Sequence, residues 1–395
     1  MNILVLNSGS SSLKYQLFAW PAEAPVCSGL VERIGAAEAT ITHKTFPTAA
    51  EPTEQRLTLP LPDHAAGLAE VLRLLQAGPL RDPADVAVVG HRVVHGGEAF
   101  AATTLITEEV KAEIRRLFAL APLHNPANLQ GIEVAERLFP QARQVAVFDT
   151  AFHQTLPDYA YRYALPTTLY EEQRIRKYGF HGTSHQFVAA RAAEYLGMPD
   201  ARLITIHLGN GCSMAAVRGG RSLDTSMGFG PLAGLVMGTR SGDVDPAVLL
   251  HLLESYSPAE LSPLLNKQSG MLGLAGSSDL RDIGAALAAG DARAELAYAL
   301  YAYRIRQYIG AYVAVLGGLD AIIFTAGVGE NDAEVRARVC QGMEFFGLVL
   351  DEARNRERAP GLRDLSGEGA RARILVVPTN EELEIARQCA EHLTP

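Results

Sequence analysis

Three short stretches of small and amide residues carry the first chemical signal in the 395-residue chain: Asn7-Ser8-Gly9-Ser10-Ser11-Ser12, His207-Leu208-Gly209-Asn210-Gly211-Cys212-Ser213 and Thr325-Ala326-Gly327-Val328-Gly329-Glu330-Asn331. Turns of this composition expose backbone N–H groups and add Ser and Asn donors and acceptors, so they can wrap a phosphate. One such loop alone reads as an ordinary hairpin turn. Three, each after a short apolar run, point to a nucleotide held by its phosphates between two domains. The common phosphate loops are absent: none of the five lysines (Lys14, Lys44, Lys111, Lys177, Lys267) follows a glycine, so there is no GxxxxGK[ST] sequence. No HRD and DFG set occurs either, which excludes a protein-kinase arrangement.

Two arginines sit in glycine-punctuated loops: Arg92 after Val86-Val89, and Arg240 within Gly238-Thr239-Arg240-Ser241-Gly242. A planar, permanently charged guanidinium binds oxyanions in pairs. Arginine count itself is uninformative, since 30 of the 35 basic residues are Arg. His181 and His185 are four apart, a spacing that suits zinc on a helix face, but no HExxH glutamate accompanies them. Gly182-Thr183-Ser184 reads as a turn into a helix capped by Ser or Thr, and metal is rejected there. His185, His91, His95 and His153 read as structural. Asp149 ends the run Val145-Phe148, where open α/β sheets place functional carboxylates. Glu381 and Glu382 read either as hard-cation ligands or as an acidic first helical turn.

The elements that must position these groups alternate. Short β-branched runs (Ile3-Leu6, Val86-Val89, Val145-Phe148, Leu203-Ile206, Ala321-Phe324, Ile374-Val377) read as buried strands. Segments with helical spacing lie between them: Ala66-Gln76, Thr107-Ala119, Pro126-Leu138, Ser184-Leu196, Pro246-Leu253 and Arg293-Val315. This predicts an α/β protein, with Pro47 to Pro62 as a surface excursion. The turns at Gly9 and Gly211 lie 202 positions apart, near half the chain, as a duplicated domain would give. A formal net charge of −9 argues against a nucleic-acid or membrane-coating role. Four scattered cysteines without a CxxC pair fit a reducing cytoplasm, and no signal peptide or membrane span is expected.

With these blocks in place the sequence resembles the acetate kinase family nearly end to end. The matching stretches are Asn7 to Lys14, Gly90 to Gly97, Ala121 to Pro126, Val147 to His153, Tyr178 to His185, His207 to Gly211, Met237 to Asp243 and Thr379 to Glu382. The resemblance implies two duplicated ribonuclease-H-like (actin-like ATPase) domains with an interdomain active-site cleft: residues 1–149 plus 383–395, and residues 150–382. It implies reversible transfer of the ATP γ-phosphoryl to acetate, with Mg²⁺ (or Mn²⁺), in a homodimer formed through the second domain.

The roles it implies are as follows. Arg92 binds the carboxylate, and Arg92, Arg240 and His181 steady the transferring phosphoryl. Asp149 is essential, and because acetate arrives ionised we assign it to orienting Arg92 or the metal's water shell. Val94, Leu123, Phe180 and Pro231 form the acyl pocket, with His124 near the substrate. Lys14, His207, Leu208, Gly209, Asn210 and Gly211 serve the phosphates. Asp279, Leu280, Arg281, Gly327, Val328, Gly329, Glu330 and Asn331 lie near ribose and adenine. Asn7 and Glu381, from opposite halves, hold the metal. Cys212, Gly230 and Ala233 depart from the usual family residues. The runner-up is a propionate or other short-chain acyl kinase, and the alternative of another class is an ATP-gated actin- or Hsp70-like binding module.

Overall fold

The computed structural model describes residues 1–47, 51–122 and 124–393. The chain divides into two units: Met1–Ala151 with the segment from Asn380 onward, and Phe152–Thr379.

The first unit is built on one sheet. Its strands are β1 (Asn2–Ser8), β2 (Ser12–Ala19), β3 (Pro25–Glu32), β4 (Ala39–Thr45), β5 (Thr53–Leu59), β6 (Val86–Val93), β7 (Thr104–Leu105) and β8 (Arg143–Phe148). Their order is β5-β4-β3-β2-β1-β6-β8-β7. β1 runs antiparallel to β2 and parallel to β6, which runs parallel to β8. Covered on both faces, the central strands need no apolar/polar alternation, which is why Ile3 to Leu6 reads as a continuous apolar run and is buried throughout. Of the stretch expected to be a surface excursion, residues 48–50 lie outside the described residues, and Thr53–Leu59 is largely exposed but regular, pairing with β4 as the sheet's polar edge strand.

The second unit repeats the plan. Strands β9 (Arg202–Leu208), β10 (Cys212–Arg218), β11 (Arg221–Thr225), β12 (Ala321–Thr325), β13 (Arg363–Asp364) and β14 (Arg373–Val376) are ordered β11-β10-β9-β12-β14-β13. Strand senses match those of β3-β2-β1-β6-β8-β7, down to the short antiparallel edge strand in each sheet. The duplication is thus a shared topology. Its register is two positions off the sequence estimate, because the three-residue turns Gly9–Ser11 and Gly209–Gly211 are the equivalent ones, which pairs Gly9 with Gly209.

Two local expectations are corrected. The third small-residue stretch is not a hairpin turn: Ala326–Asn331 is a short helix entered through Ala326 at φ +64°. The C-terminal boundary also lies earlier than residue 382. Asn380 caps the helix Glu381–Leu393 through Leu383 N–H, and that helix packs on β1 and β6, carrying Glu381 and Glu382 into the first unit. Among the described residues no helix is long and apolar enough to cross a membrane.

Candidate active site

In the first unit the functional side chains gather at the carboxyl ends of the parallel strands, where diverging backbones leave a crevice. Arg92 lies on β6 and Asp149 directly follows β8. Arg92 donates from Nε to Asp149 Oδ1 at 3.0 Å and from Nη2 to Oδ2 at 2.6 Å, a two-point fork on a carboxylate that is 1% exposed. Arg92 Nη1 also donates to Asn7 Oδ1 at 3.2 Å, and its Nε lies 3.9 Å from Glu381 Oε2. Burial works against the guanidinium charge, yet Asp149 and Glu381 outweigh it and raise the Arg92 pKa. Burial raises the Glu381 carboxyl above its ordinary value, aided by Asp149 and Glu382 and opposed chiefly by Arg92. Lys14 Nζ pairs with Glu382 at 2.7 Å while its side chain stays 49% exposed.

In the second unit a histidine cluster borders the phosphate-type turn. His181 adopts the left-handed conformation (φ +56°, ψ 25°) immediately before the helix Gly182–Leu196. Its Nδ1 is 2.9 Å from Ser213 Oγ, and its ring stacks on His207 with centroids 4.3 Å apart. The His207 Nδ1 meets Ser184 Oγ at 2.8 Å, which in turn meets Thr379 Oγ1 at 2.8 Å. The helix is therefore not capped by Ser or Thr as the sequence suggested. Ser184 lies inside its first turn with its hydroxyl taken by the histidine cluster, and His181 holds the cap position. His185 bridges Thr205 and Ser213 at 2.7 and 2.8 Å, and burial holds its pKa well below the ordinary value.

Arg240 approaches the same place from its own loop. Its Nη1 donates to Pro231 O at 2.9 Å, and burial lowers its pKa. The absence of a side chain at Gly211 leaves the meeting point open: a Cβ there would lie 3.4 Å from the His181 ring and 3.5 Å from Arg240 Nη1. Imidazole, guanidinium and turn backbone thus converge on one small space, as an oxyanion requires.

Beside this turn lies a cavity of about 1160 Å³, lined by Gly209, Asn210, Asp279 to Arg281, Gly327, Val328, Glu330 and Asn331. Two arginines shape its floor. Arg336, 1% exposed, donates to Gly329 O at 2.9 Å and to both Asn355 oxygens at 2.8 Å, while Arg363 Nη2 donates to Glu330 O at 2.7 Å. These bonds fix the carbonyls of the short helix. Burial lowers the Arg336 pKa to about 10.

The sequence profile of the Acetokinase family matches residues 2–387. The chain belongs to the acetokinase family. It is 52% identical to the acetate kinase of Nitratidesulfovibrio vulgaris Hildenborough, with 98% of each chain covered. Its structure matches the acetate kinase of Porphyromonas gingivalis at a TM-score of 0.93 and 44% identity over 100% of both chains. A propionate kinase from Francisella tularensis matches at 0.92 and 38% identity over 99% of both.

Set beside this acetokinase fold, the expected site residues divide by unit. Asn7, Lys14, Arg92, Val94, His124, Asp149 and Glu381 belong to the first, and the remaining described ones to the second. Asn7 and Glu381 therefore come from one unit rather than opposite halves. Lys14 sits opposite Asn7 on the β1–β2 hairpin. Val94 is buried and His124 precedes the helix Asn125–Leu138. Leu123 lies outside the described residues. Phe180 is buried, and its carbonyl meets His153 Nε2 at 3.0 Å. His207, Leu208, Gly211 and Gly329 do not line the cavity. Arg336, Arg363 and Asn355 escaped the sequence reading, for each stands as a lone polar residue outside any motif, with partners 7 to 33 positions away.

Proposed function

We propose that this chain is an acetate kinase, transferring the γ-phosphoryl of ATP to acetate to give acetyl phosphate and ADP by direct in-line displacement. The observation that carries the reading is the convergence of His181, Arg240 and the open face of Gly211 beside a nucleotide-sized cavity. Family membership and the printed names of the relatives support it.

The chemistry asks little of a base. Acetate is ionised at neutral pH. One carboxylate oxygen attacks the γ-phosphorus, the bond to the β-γ bridging oxygen breaks, and ADP leaves with the electron pair; no proton is gained or lost. The barrier is the meeting of two anions, so the protein's task is to position them and stabilise the equatorial oxygens. In this reading Arg92 holds the carboxylate, with Asp149 fixing the guanidinium plane rather than moving a proton. His181 and Arg240 donate to the transferring phosphoryl, and the Gly209–Gly211 turn holds the phosphate chain. The segments at 279–281 and 327–331 receive the nucleoside.

A divalent cation, Mg²⁺ or Mn²⁺, fits Asn7 and Glu381. Both offer hard oxygens, and a cation would relieve the crowding of Asp149, Glu381 and Glu382. Among the described residues no group of three or more His, Cys, Asp or Glu could hold a metal ion. That donor set suits an ion keeping water and phosphate oxygens. When bound, it would neutralise phosphate charge. Exposed Tyr159, Leu250 and Tyr303 on the second unit offer apolar surface for the homodimer.

The test is to mix protein, metal-ATP and acetate and trap acyl phosphate with hydroxylamine. Acetyl hydroxamate dependent on both substrates supports the reading, and no product with acetate or propionate overturns it. The propionate kinase neighbour keeps short-chain specificity a specific question. Val94→Ala is expected to raise kcat/KM for propionate relative to acetate, and an unchanged ratio contradicts the pocket assignment.

A further inference from the structure

In the first unit the parallel ladder between β1 and β6 ends at Leu6 opposite His91, immediately before Asn7 and Arg92. Beyond it the strands diverge, and a side chain spans the gap. Asn128, on the helix Asn125–Leu138 and 3% exposed, accepts from Val94 N–H at 3.0 Å and donates from Nδ2 to Ser8 O at 2.7 Å. The partners fix the amide's orientation, because a backbone N–H can only donate and a carbonyl only accept. The helix comes close enough because Gly131, one turn on, has no side chain: a Cβ there would run into Ser8 Oγ and Cβ.

We propose that Asn128 is a positioning residue for the carboxylate substrate. Its amide extends the ladder by one linkage and sets the spacing between Arg92, which meets the charge, and Val94, which bounds the acyl group. This inference rests on the acyl-kinase reading. It assigns Asn128 a part in both carboxylate affinity and the acyl length admitted. Neighbouring Asn125 closes a separate two-bond ring with His95, through His95 N–H at 3.1 Å and His95 O at 2.9 Å, and serves as an internal control.

The experiment compares Asn128→Ala, Asn128→Asp and Asn125→Ala with the parent, varying acetate, propionate and ATP separately and recording Tm and exchange of the Val94 amide. Asn128→Asp keeps the acceptor for Val94 but places a carboxylate oxygen against Ser8 O; Asn128→Ala removes both bonds. Leaving buried groups unpaired predicts a rise of roughly tenfold or more in the acetate KM for Asn128→Ala. The acetate-to-propionate ratio shifts and the ATP KM stays within about twofold. Val94 exchange accelerates in Asn128→Ala but stays protected in Asn128→Asp. Should Asn128→Ala fail to fold, Asn128→Asp carries the kinetic comparison. The proposal is overturned if the carboxylate KM and acyl ratio do not move, or if Asn125→Ala, at equal loss of Tm, moves them equally. A parent that makes no acyl hydroxamate overturns the acyl-kinase reading instead.

Discussion

Replacing Asp149 by Asn isolates one charge at the centre of the first-unit cluster. Asp149 receives two N–H bonds from Arg92, at 3.0 and 2.6 Å, in a buried setting. Asn keeps one acceptor oxygen, so one bond survives and the other becomes an NH₂ group facing a guanidinium N–H. A hydrogen bond to a charged group contributes about 1.5–3 kcal/mol, and losing one together with the ionic attraction sets the cost at about 2–4 kcal/mol. If Arg92 acts on the carboxylate and phosphoryl, that is roughly a 30- to 1000-fold fall in kcat/KM for acetate. Glu381, 3.9 Å from Arg92 Nε, is then the carboxylate toward which the guanidinium turns, so the divalent-cation requirement rises too. The cavity proposed for the nucleotide is lined by second-unit residues, and the ATP KM is expected to stay within about twofold. The assay is initial-rate hydroxamate formation with each substrate varied separately, beside a Tm measurement. Near-parental turnover in a folded variant, or an equal loss toward both substrates, would refute the orienting role.

Other outcomes follow from the same geometry. Gly211→Ala places a methyl between His181 and Arg240, so kcat should fall about tenfold or more with little change in Tm, as measured by initial rates and calorimetry. Because burial raises the Glu381 pKa above 4.5, cation binding should weaken as pH falls through a range above that value, and Glu381→Gln should abolish this dependence in metal titrations. Burial pushes His91, His95 and His153 down to about 4, so they stay neutral in the folded protein while the unfolded chain protonates near 6.5. Their contribution to stability is present above pH 6.5 and lost as pH falls toward 4. Tm should drop across that window, and less steeply in His91→Gln.

Local signals made much of this fold legible. Buried strands announce themselves as short apolar runs, and the predicted runs fall in strands, with only Val377 one residue beyond β14. Helical spacing located Gly182–Leu196 and Ala292–Leu316 to within two residues. Phosphate-type turns were visible because they need small residues in sequence. What failed to show were decisions made by tertiary partners. The cap of the helix at Gly182 went to His181 because Ser184 was claimed by His207. Glu381 joined Asn7 because its helix packs on β1 and β6. Asn128 and Arg336 looked like ordinary helical polar residues, since the carbonyls they satisfy lie 120 and 7 positions away. Edge strand β5 was hidden by its polarity, which is what an exposed sheet edge requires.

Hydroxylamine reacts with any activated acyl group, so the most direct measurement is the ³¹P NMR spectrum of the protein turning over ATP with a divalent cation and acetate. Attack on the γ-phosphorus predicts resonances of acetyl phosphate and ADP growing together. Pyrophosphate with acetyl-AMP, or with the AMP that acetyl-AMP hydrolyses to, would place the attack on the α-phosphorus, and inorganic phosphate with ADP alone would reduce the site to hydrolysis; either result contradicts the account.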